Sequence, residues 1–154
     1  MRGRFPPVAA ASLVAGLLLL AAPDAFAQTS ADSTAIRQAA LDYIEGWYTA
    51  DADRMARAVD SRLVKRIFAT HPRSGNQVFR NQDSTALVTA TEKGYGSKIP
   101  ESQRRKKVTL LDVFEGAASV KIVAADWIDY LHLVKQNGRW QIVNVLWERK
   151  PKSS

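Results

Sequence analysis

Residues 126–148 constrain the fold more than any other part of the sequence. They contain two apolar runs on either side of Asn137-Gly138. Asn-Gly is the preferred pair for a two-residue hairpin turn, because both central positions of such a turn need a positive φ. The sequence therefore predicts an antiparallel hairpin in which Gln136 lies opposite Arg139.

A regular register from that turn divides the hairpin side chains between two faces. The first face would carry Asp129, Leu131, Leu133, Lys135, Trp140, Ile142, Asn144 and Leu146. The second would carry Ile128, Tyr130, His132, Val134, Gln141, Val143, Val145 and Trp147. Both faces are substantially apolar, which indicates that both are covered, one of them by helices.

The beginning of the chain has the pattern of a secretory signal peptide. Arg2 and Arg4 precede an apolar run at residues 8–22, and residues 25–27 read Ala-Phe-Ala, a typical cleavage site. The run is shorter than the ~20 residues that a membrane-spanning helix needs. We therefore expect residues 1–27 to be a signal peptide and residues 28–154 to form one exported domain, periplasmic or secreted, with no membrane association after cleavage.

Composition excludes several kinds of function. The chain has no cysteine, and its two histidines, His71 and His132, have no metal-ligand spacing. No glycine-rich phosphate loop or nucleophile elbow is present. The formal charge is +7, but the basic residues are scattered, and the one tight run at residues 104–107 reads as a solvated entry to a strand. The sequence predicts no metal, no cofactor and no nucleic-acid partner.

Helical periodicity dominates the first half of the remaining chain. A helix capped by Ser33 or Asp32 is predicted to end near Thr49, and Asp51 and Asp53 are predicted to cap a second, short helix. Residues 63–68 could finish that helix or begin a strand. A brief strand at residues 77–80 and a third helix at residues 85–93, capped by Ser84, follow.

The apolar period changes to two after residue 107. Strands are predicted at residues 108–114 and 118–124, ahead of the hairpin. Helices first and an antiparallel four-stranded meander afterwards define an α+β fold, with the helices on one face of the sheet.

Four segments carry a resemblance to a known superfamily. They read DYIEGWYTAD at residues 42–51, VTLLDV at 108–113, ASVKIV at 118–123 and DYLHLVKQNGRWQIVNVLWE at 129–148. The chain resembles the nuclear transport factor 2-like superfamily, in particular its SnoaL-like and putative lumazine-binding branch. The resemblance implies a cone-shaped fold, in which a curved antiparallel sheet wraps N-terminal helices around a pocket, and dimers that form through the outer sheet surface.

The first face of the hairpin supplies the candidate site. Enzymes that share this fold use buried Asp, His or Tyr as acids and bases, and here Asp129 is the candidate general base. Candidate ligand-binding residues are Tyr43, Trp47, Tyr48 and Asn144. Each has a structural alternative, because Asp129 and Asn144 could satisfy buried partners and the aromatic residues could be ordinary core. No active-site motif of any one enzyme is present.

The second face supplies a candidate homodimer interface, formed by Tyr130, His132 and Trp147. If the two faces were exchanged, these residues would line the pocket instead. Three functions follow: a binding domain for a small, partly apolar or aromatic molecule, which we favour; a cofactor-independent isomerase, cyclase or dehydratase using Asp129; or an interaction module acting through the sheet.

Overall fold

The computed structural model describes residues 24–71 and 73–151 of the 154-residue chain. Most of the predicted signal peptide lies outside the described residues. In the described part of the chain no helix combines the length and apolar character that crossing a bilayer would require.

Three helices precede most of the sheet. They are α1 (Asp24–Thr49), α2 (Ala52–Ala58) and α3 (Ser84–Glu92). Asp51 caps α2 as predicted, since its Oδ1 accepts a hydrogen bond from the Arg54 amide at 2.9 Å. Asp83, one residue before the predicted cap, caps α3 in the same way.

Helix α1 begins earlier than the sequence predicts. Neither Ser33 nor Asp32 is its cap, because both lie inside the helix. The Asp32 carboxylate instead accepts hydrogen bonds from Lys135 Nζ at 2.7 Å and from the Trp140 indole at 2.9 Å. Asp32 therefore fastens the helix to the β-hairpin.

Six strands form one sheet. They are β1 (Val59–Thr70), β2 (Gln77–Asp83), β3 (Lys107–Phe114), β4 (Ala117–Val123), β5 (Trp127–Gln136) and β6 (Arg139–Arg149). The strand order is β2-β1-β6-β5-β4-β3. The α+β fold with helices on a sheet is confirmed, but the sheet is not wholly antiparallel, because β1 runs parallel to β6.

The open choice for residues 63–68 is settled in favour of a strand. These residues lie in β1, whose parallel pairing with β6 places the N-terminal β1–β2 hairpin beside the C-terminal one. The β-branched and aromatic residues of this segment favour an extended strand, and Leu63 is fully buried there. The predicted four-stranded meander is thus part of a sheet of six strands.

The hairpin turn is confirmed, and its register changes at a bulge. Gln136 pairs with Arg139 and Leu133 with Ile142, but the next pair is His132 with Asn144. Val143 is the extra residue. Beyond it every β6 side chain lies on the face opposite to the one that a regular register gives. Val145 and Trp147 therefore face the helices, and Asn144 and Leu146 face outward.

The core fills the space between α1 and the inner face of the sheet. Its largest fully buried side chains include Ile36, Tyr43 and Ile44 from α1 and Ile122, Leu131 and Ile142 from the sheet. The carboxylate of Asp129 lies among them with no solvent exposure. A buried charge needs partners, and these define the candidate site.

Candidate functional site

A cavity of about 440 Å³ opens at the end of the sheet where β1, β5 and β6 meet α3 and the turn after it. Its walls are mostly aromatic or aliphatic, with a few polar groups. The lining residues are Trp47, Lys65, Gln82, Leu87, Tyr95, Ile99, Asp126, Trp127, Trp147 and Arg149. Both the volume and the composition are typical of small-molecule sites.

Asp129 lies beneath this cavity and is not part of its lining. Its Oδ2 accepts a hydrogen bond from the Trp127 indole at 2.6 Å, and its Oδ1 accepts one from the Tyr43 hydroxyl at 3.3 Å. Lys65 Nζ lies 3.5 Å from the same Oδ1. Each carboxylate oxygen is therefore engaged by donors of the protein, as a buried charge requires.

Tyr43 connects Lys65 to Asp129. Lys65 Nζ donates to the Tyr43 oxygen at 2.5 Å, and the Tyr43 hydroxyl donates onward to Asp129. Burial raises the pKa of Tyr43 well above its usual 10.0, and the neighbouring Asp129 charge and hydrogen bond raise it further. Tyr43 therefore remains a neutral phenol, able to act as acceptor and donor together.

Lys65 is the member of this cluster that reaches the cavity. Its side chain is 12 % exposed, and its ammonium lies 5.1 Å from the Tyr43 ring centre and 5.3 Å from that of Trp147. These distances are within the range of cation–π attraction. Lys65 thus presents a positive charge at the base of an aromatic cavity.

Gly96 sets the position of the Trp47 wall. A Cβ on Gly96 would lie 2.3 Å from the Trp47 carbonyl oxygen and 2.4 Å from the indole Cδ1. Only glycine permits this approach. The short 3-10 turn at Gly96–Lys98 consequently packs directly on α1 and carries Tyr95 and Ile99 to the mouth of the cavity.

The predicted site residues are divided between three places. Trp47 lines the cavity, and Tyr43 and Asp129 lie below it. Tyr48 is buried outside the cavity, where its hydroxyl donates to the Arg105 carbonyl at 2.8 Å and accepts from the Ala125 amide. Of the three aromatic residues expected to form one wall of the pocket, Tyr43, Trp47 and Tyr48, only Trp47 lines the cavity.

Asn144 and Trp147 occupy the faces opposite to those predicted. Because of the bulge at Val143, Asn144 lies on the outer face, within 3.2 Å of His132 and 2.7 Å of Arg66 Nη1. Trp147 lies on the inner face and lines the cavity. The prediction that Asn144 shares a sheet face with Asp129, and Trp147 with His132, was wrong because the bulge shifts the pairing by one residue. Tyr130 and His132 are exposed on the outer face, as predicted.

Lys65 and Trp127 were missed by the sequence reasoning. Trp127 is two residues from Asp129, so the strand period already places both on one face. Lys65 is two residues from both Leu63 and Ile67. This spacing places Lys65 on the inner face only if the segment is a strand. Within the described ranges, no group of three or more His, Asp or Glu side chains could hold a metal ion.

Comparison with solved structures shows the fold that this chain shares with other proteins. An NTF2-like protein of unknown function from Shewanella baltica superimposes with a TM-score of 0.64 at 21% identity, over 80% of this chain and 97% of that one. A second, from Silicibacter pomeroyi, gives a TM-score of 0.61 at 13% identity, over 79% and 98% of the two chains. An NTF2-like protein with a cystatin-like fold from Novosphingobium aromaticivorans gives 0.60 at 10% identity, over 84% and 89%. At these identities the likeness shows the fold alone.

The sequence itself defines the family. The model of the family described as "Putative lumazine-binding" matches residues 31–148, which is most of the chain. The protein belongs to this family of NTF2-like proteins, and the expected superfamily is confirmed. A search of curated proteins finds no match.

Proposed function

We propose that this protein binds a small, partly apolar molecule with a planar ring in the cavity at the open end of the sheet. The observation that carries the proposal is the cavity of about 440 Å³ bordered by Trp47, Trp127 and Trp147. Flat indole walls favour a flat ligand, since stacked or edge-on aromatic contacts add to the burial of apolar area. The family description names lumazine, a planar heterocycle, which is one candidate.

Binding has more support than acid–base catalysis by Asp129. A general base must reach the proton that it removes, directly or through one water molecule. Asp129 has no exposed surface, is not among the lining residues, and already accepts hydrogen bonds from Trp127 and Tyr43. These contacts are those of a carboxylate that holds Lys65 and the cavity floor in place.

The tryptophans allow a direct test of this proposal. Trp140 is the one other tryptophan of the sequence, and its indole donates to Asp32 away from the cavity. In nitrogen–proton correlation spectra we expect planar fragments, including lumazine, to move the indole signals of Trp47, Trp127 and Trp147 while the Trp140 signal stays fixed. Signals that never move, or four that move equally, would contradict binding in this cavity.

A homodimer formed through the outer sheet face is a second candidate function. Tyr130 is 43 % exposed and Leu146 47 % exposed, and the two are directly paired across β5 and β6. Exposed apolar pairs on a sheet face favour an interface. We expect Leu146→Glu to lower the mass measured by light scattering from that of a dimer to that of a monomer. A monomeric wild-type protein would remove this candidate.

Export remains a proposal that rests on the N-terminal sequence. If residues 1–27 are a signal peptide, the protein recovered from the periplasm or medium starts at Gln28. Mass spectrometry of the recovered chain checks this. A cytoplasmic protein that retains its N-terminus would count against export.

A further inference from the structure

We propose that the ligand of this cavity is an anion, specifically a planar carboxylate whose negative group binds Lys65. The inference deepens the proposed function and rests on it. It concerns the charge of the ligand, which the aromatic walls alone do not determine.

One of the three N–H donors of Lys65 is available to a ligand. An ammonium group carries three N–H donors. Two of them have partners beneath the cavity, at the Tyr43 oxygen and Asp129 Oδ1. Among the described residues no third acceptor contacts Lys65, which also lines the cavity. A carboxylate entering from the cavity side can accept the third N–H, and the ring behind it then meets Trp147.

The other polar groups near the base are also donors or charge-neutral. The Trp127 indole N–H already donates to Asp129. The Trp147 indole can only donate, and Gln82 is uncharged. Asp126 is the one acidic residue of the described lining, and it is paired at the rim with Arg149 at 2.8 Å. A ligand bearing a positive charge would be repelled by Lys65, and beside Lys65 it would find only the uncharged side-chain oxygen of Gln82 as an acceptor.

The surroundings of the cavity mouth are basic as well. Arg149 borders three adjoining depressions: the cavity itself, a second that reaches Arg80, and a third that reaches Arg105 and Lys150. Clefts lined by one sign of charge concentrate ligands of the opposite sign and speed their association. The basic rim and the buried ammonium thus favour the same ligand class.

Three probes that share a naphthalene ring and differ in charge test the inference on the wild-type protein. They are naphthoate, naphthamide and naphthylmethylammonium, titrated by calorimetry and by the indole signals. We expect naphthoate to bind about tenfold more tightly than naphthamide, which is what one added charge-assisted hydrogen bond provides. The ammonium probe should bind most weakly, and added salt should weaken naphthoate binding in particular.

Variants then assign the preference to Lys65. Lys65→Met should reduce the ratio of naphthoate to naphthamide affinity to about one, and Lys65→Arg should retain it. Lys121→Met is the matched control, because Lys121 lies over Tyr130 on the outer face, away from the cavity. If Lys65→Met fails to fold, the wild-type ratio and its salt dependence still decide whether the cavity prefers an anion, and a preference retained in Arg149→Met supports the assignment to Lys65.

The outcomes separate this inference from the proposed function. Equal affinities for naphthoate and naphthamide, with the cavity indoles moving, would overturn the inference and leave the binding proposal intact. An anion preference that survives in Lys65→Met but is lost in Arg149→Met would overturn the assignment to Lys65. Indole signals that respond to none of the three probes would overturn both.

Discussion

Asp129 and Lys65 form a charge pair that is almost entirely removed from water. The carboxylate has no exposure, the lysine side chain is 12 % exposed, and their nearest atoms are 3.5 Å apart. Such a pair contributes little net stability compared with apolar residues, but breaking it leaves an uncompensated charge. Its value here is positional, since it fixes an ammonium group at the base of the cavity.

Asp129→Asn should therefore be strongly destabilising. It leaves Lys65 without its counter-charge, and we expect a loss of about 3 kcal/mol in the free energy of unfolding, measured by urea denaturation. The double variant Asp129→Asn, Lys65→Met should regain part of that loss, because neither charge remains. A single variant within about 0.5 kcal/mol of wild type would show that the pair does not hold the cavity floor.

Tyr43→Phe removes the hydroxyl that joins Lys65 to Asp129. The expected cost is about 1–3 kcal/mol, because two buried polar partners lose a hydrogen bond. Tyr130→Phe, on the exposed outer face, is the control and should cost almost nothing.

The Tyr43 substitution also has a signature in alkali. The pKa of Tyr43 is raised in the folded state, so its contribution to stability is complete below pH 10 and is lost as the pH rises above that value. The free energy of unfolding should thus decline less steeply above pH 10 in Tyr43→Phe than in the wild type. Equal slopes would contradict the buried environment assigned to this phenol.

At the scale of elements, the 3-10 turn at Gly96 sets one wall of the cavity by direct contact with α1. Gly96→Ala should push the turn away from Trp47 and destabilise the fold by about 1–3 kcal/mol, the cost of overpacking. Gly116→Ala is a suitable control, because its Cβ would lie no closer than 3.9 Å to any atom. Thermal melts of both variants, with the Trp47 indole signal, check the prediction.

The bulge in β6 shows how far the strand pattern could be predicted. The turn, the pairs next to it and the inner position of Asp129 all follow from alternation in the sequence. The extra residue at Val143 has no comparable signal, since Val143, Val145 and Trp147 alternate as well as any strand. The error in Asn144 and Trp147 followed from that single residue.

Lys65 was overlooked for a related reason. The pairing of β1 with β6 joins residues about eighty positions apart, as in the pair Val64–Asn144. A sequence read locally cannot show that this segment is a central strand, and a lysine in a helix would be a surface residue. The family resemblance predicted the class of fold correctly, but the composition of the cavity floor needed the tertiary structure.

On the scale of the whole molecule, acid should weaken the fold through carboxylates that hold distant elements together. Hydrogen bonds from Lys135 and Trp140 lower the pKa of Asp32, and Lys106 and Arg54 lower that of Glu45. Groups of this kind contribute stability above their ordinary pKa values, 3.8 for Asp32 and 4.5 for Glu45, and the contribution is lost as the pH falls through the lowered values.

Asp32→Asn should accordingly make the free energy of unfolding depend less on pH in acid. We expect the urea midpoint of the wild type to decline below about pH 4 and that of the variant to decline less steeply, with the variant already weaker at neutral pH. Asp112→Asn, on the exposed part of β3, should keep the wild-type slope. Parallel curves for wild type and Asp32→Asn would exclude Asp32 as a support of the helix.

The position of β6 has a consequence for how the protein is made. Among the strands of the sheet β6 is synthesised last, yet it lies between β1 and β5 and joins the two halves of the sheet. Until residues 139–149 have been synthesised, the β1–β2 hairpin has no neighbouring strand and β5 lacks a partner on one side. Assembly of the sheet must therefore follow translation, and its long-range pairing makes it slow. Until then the nascent chain exposes unpaired strand edges, which favour aggregation and the binding of chaperones.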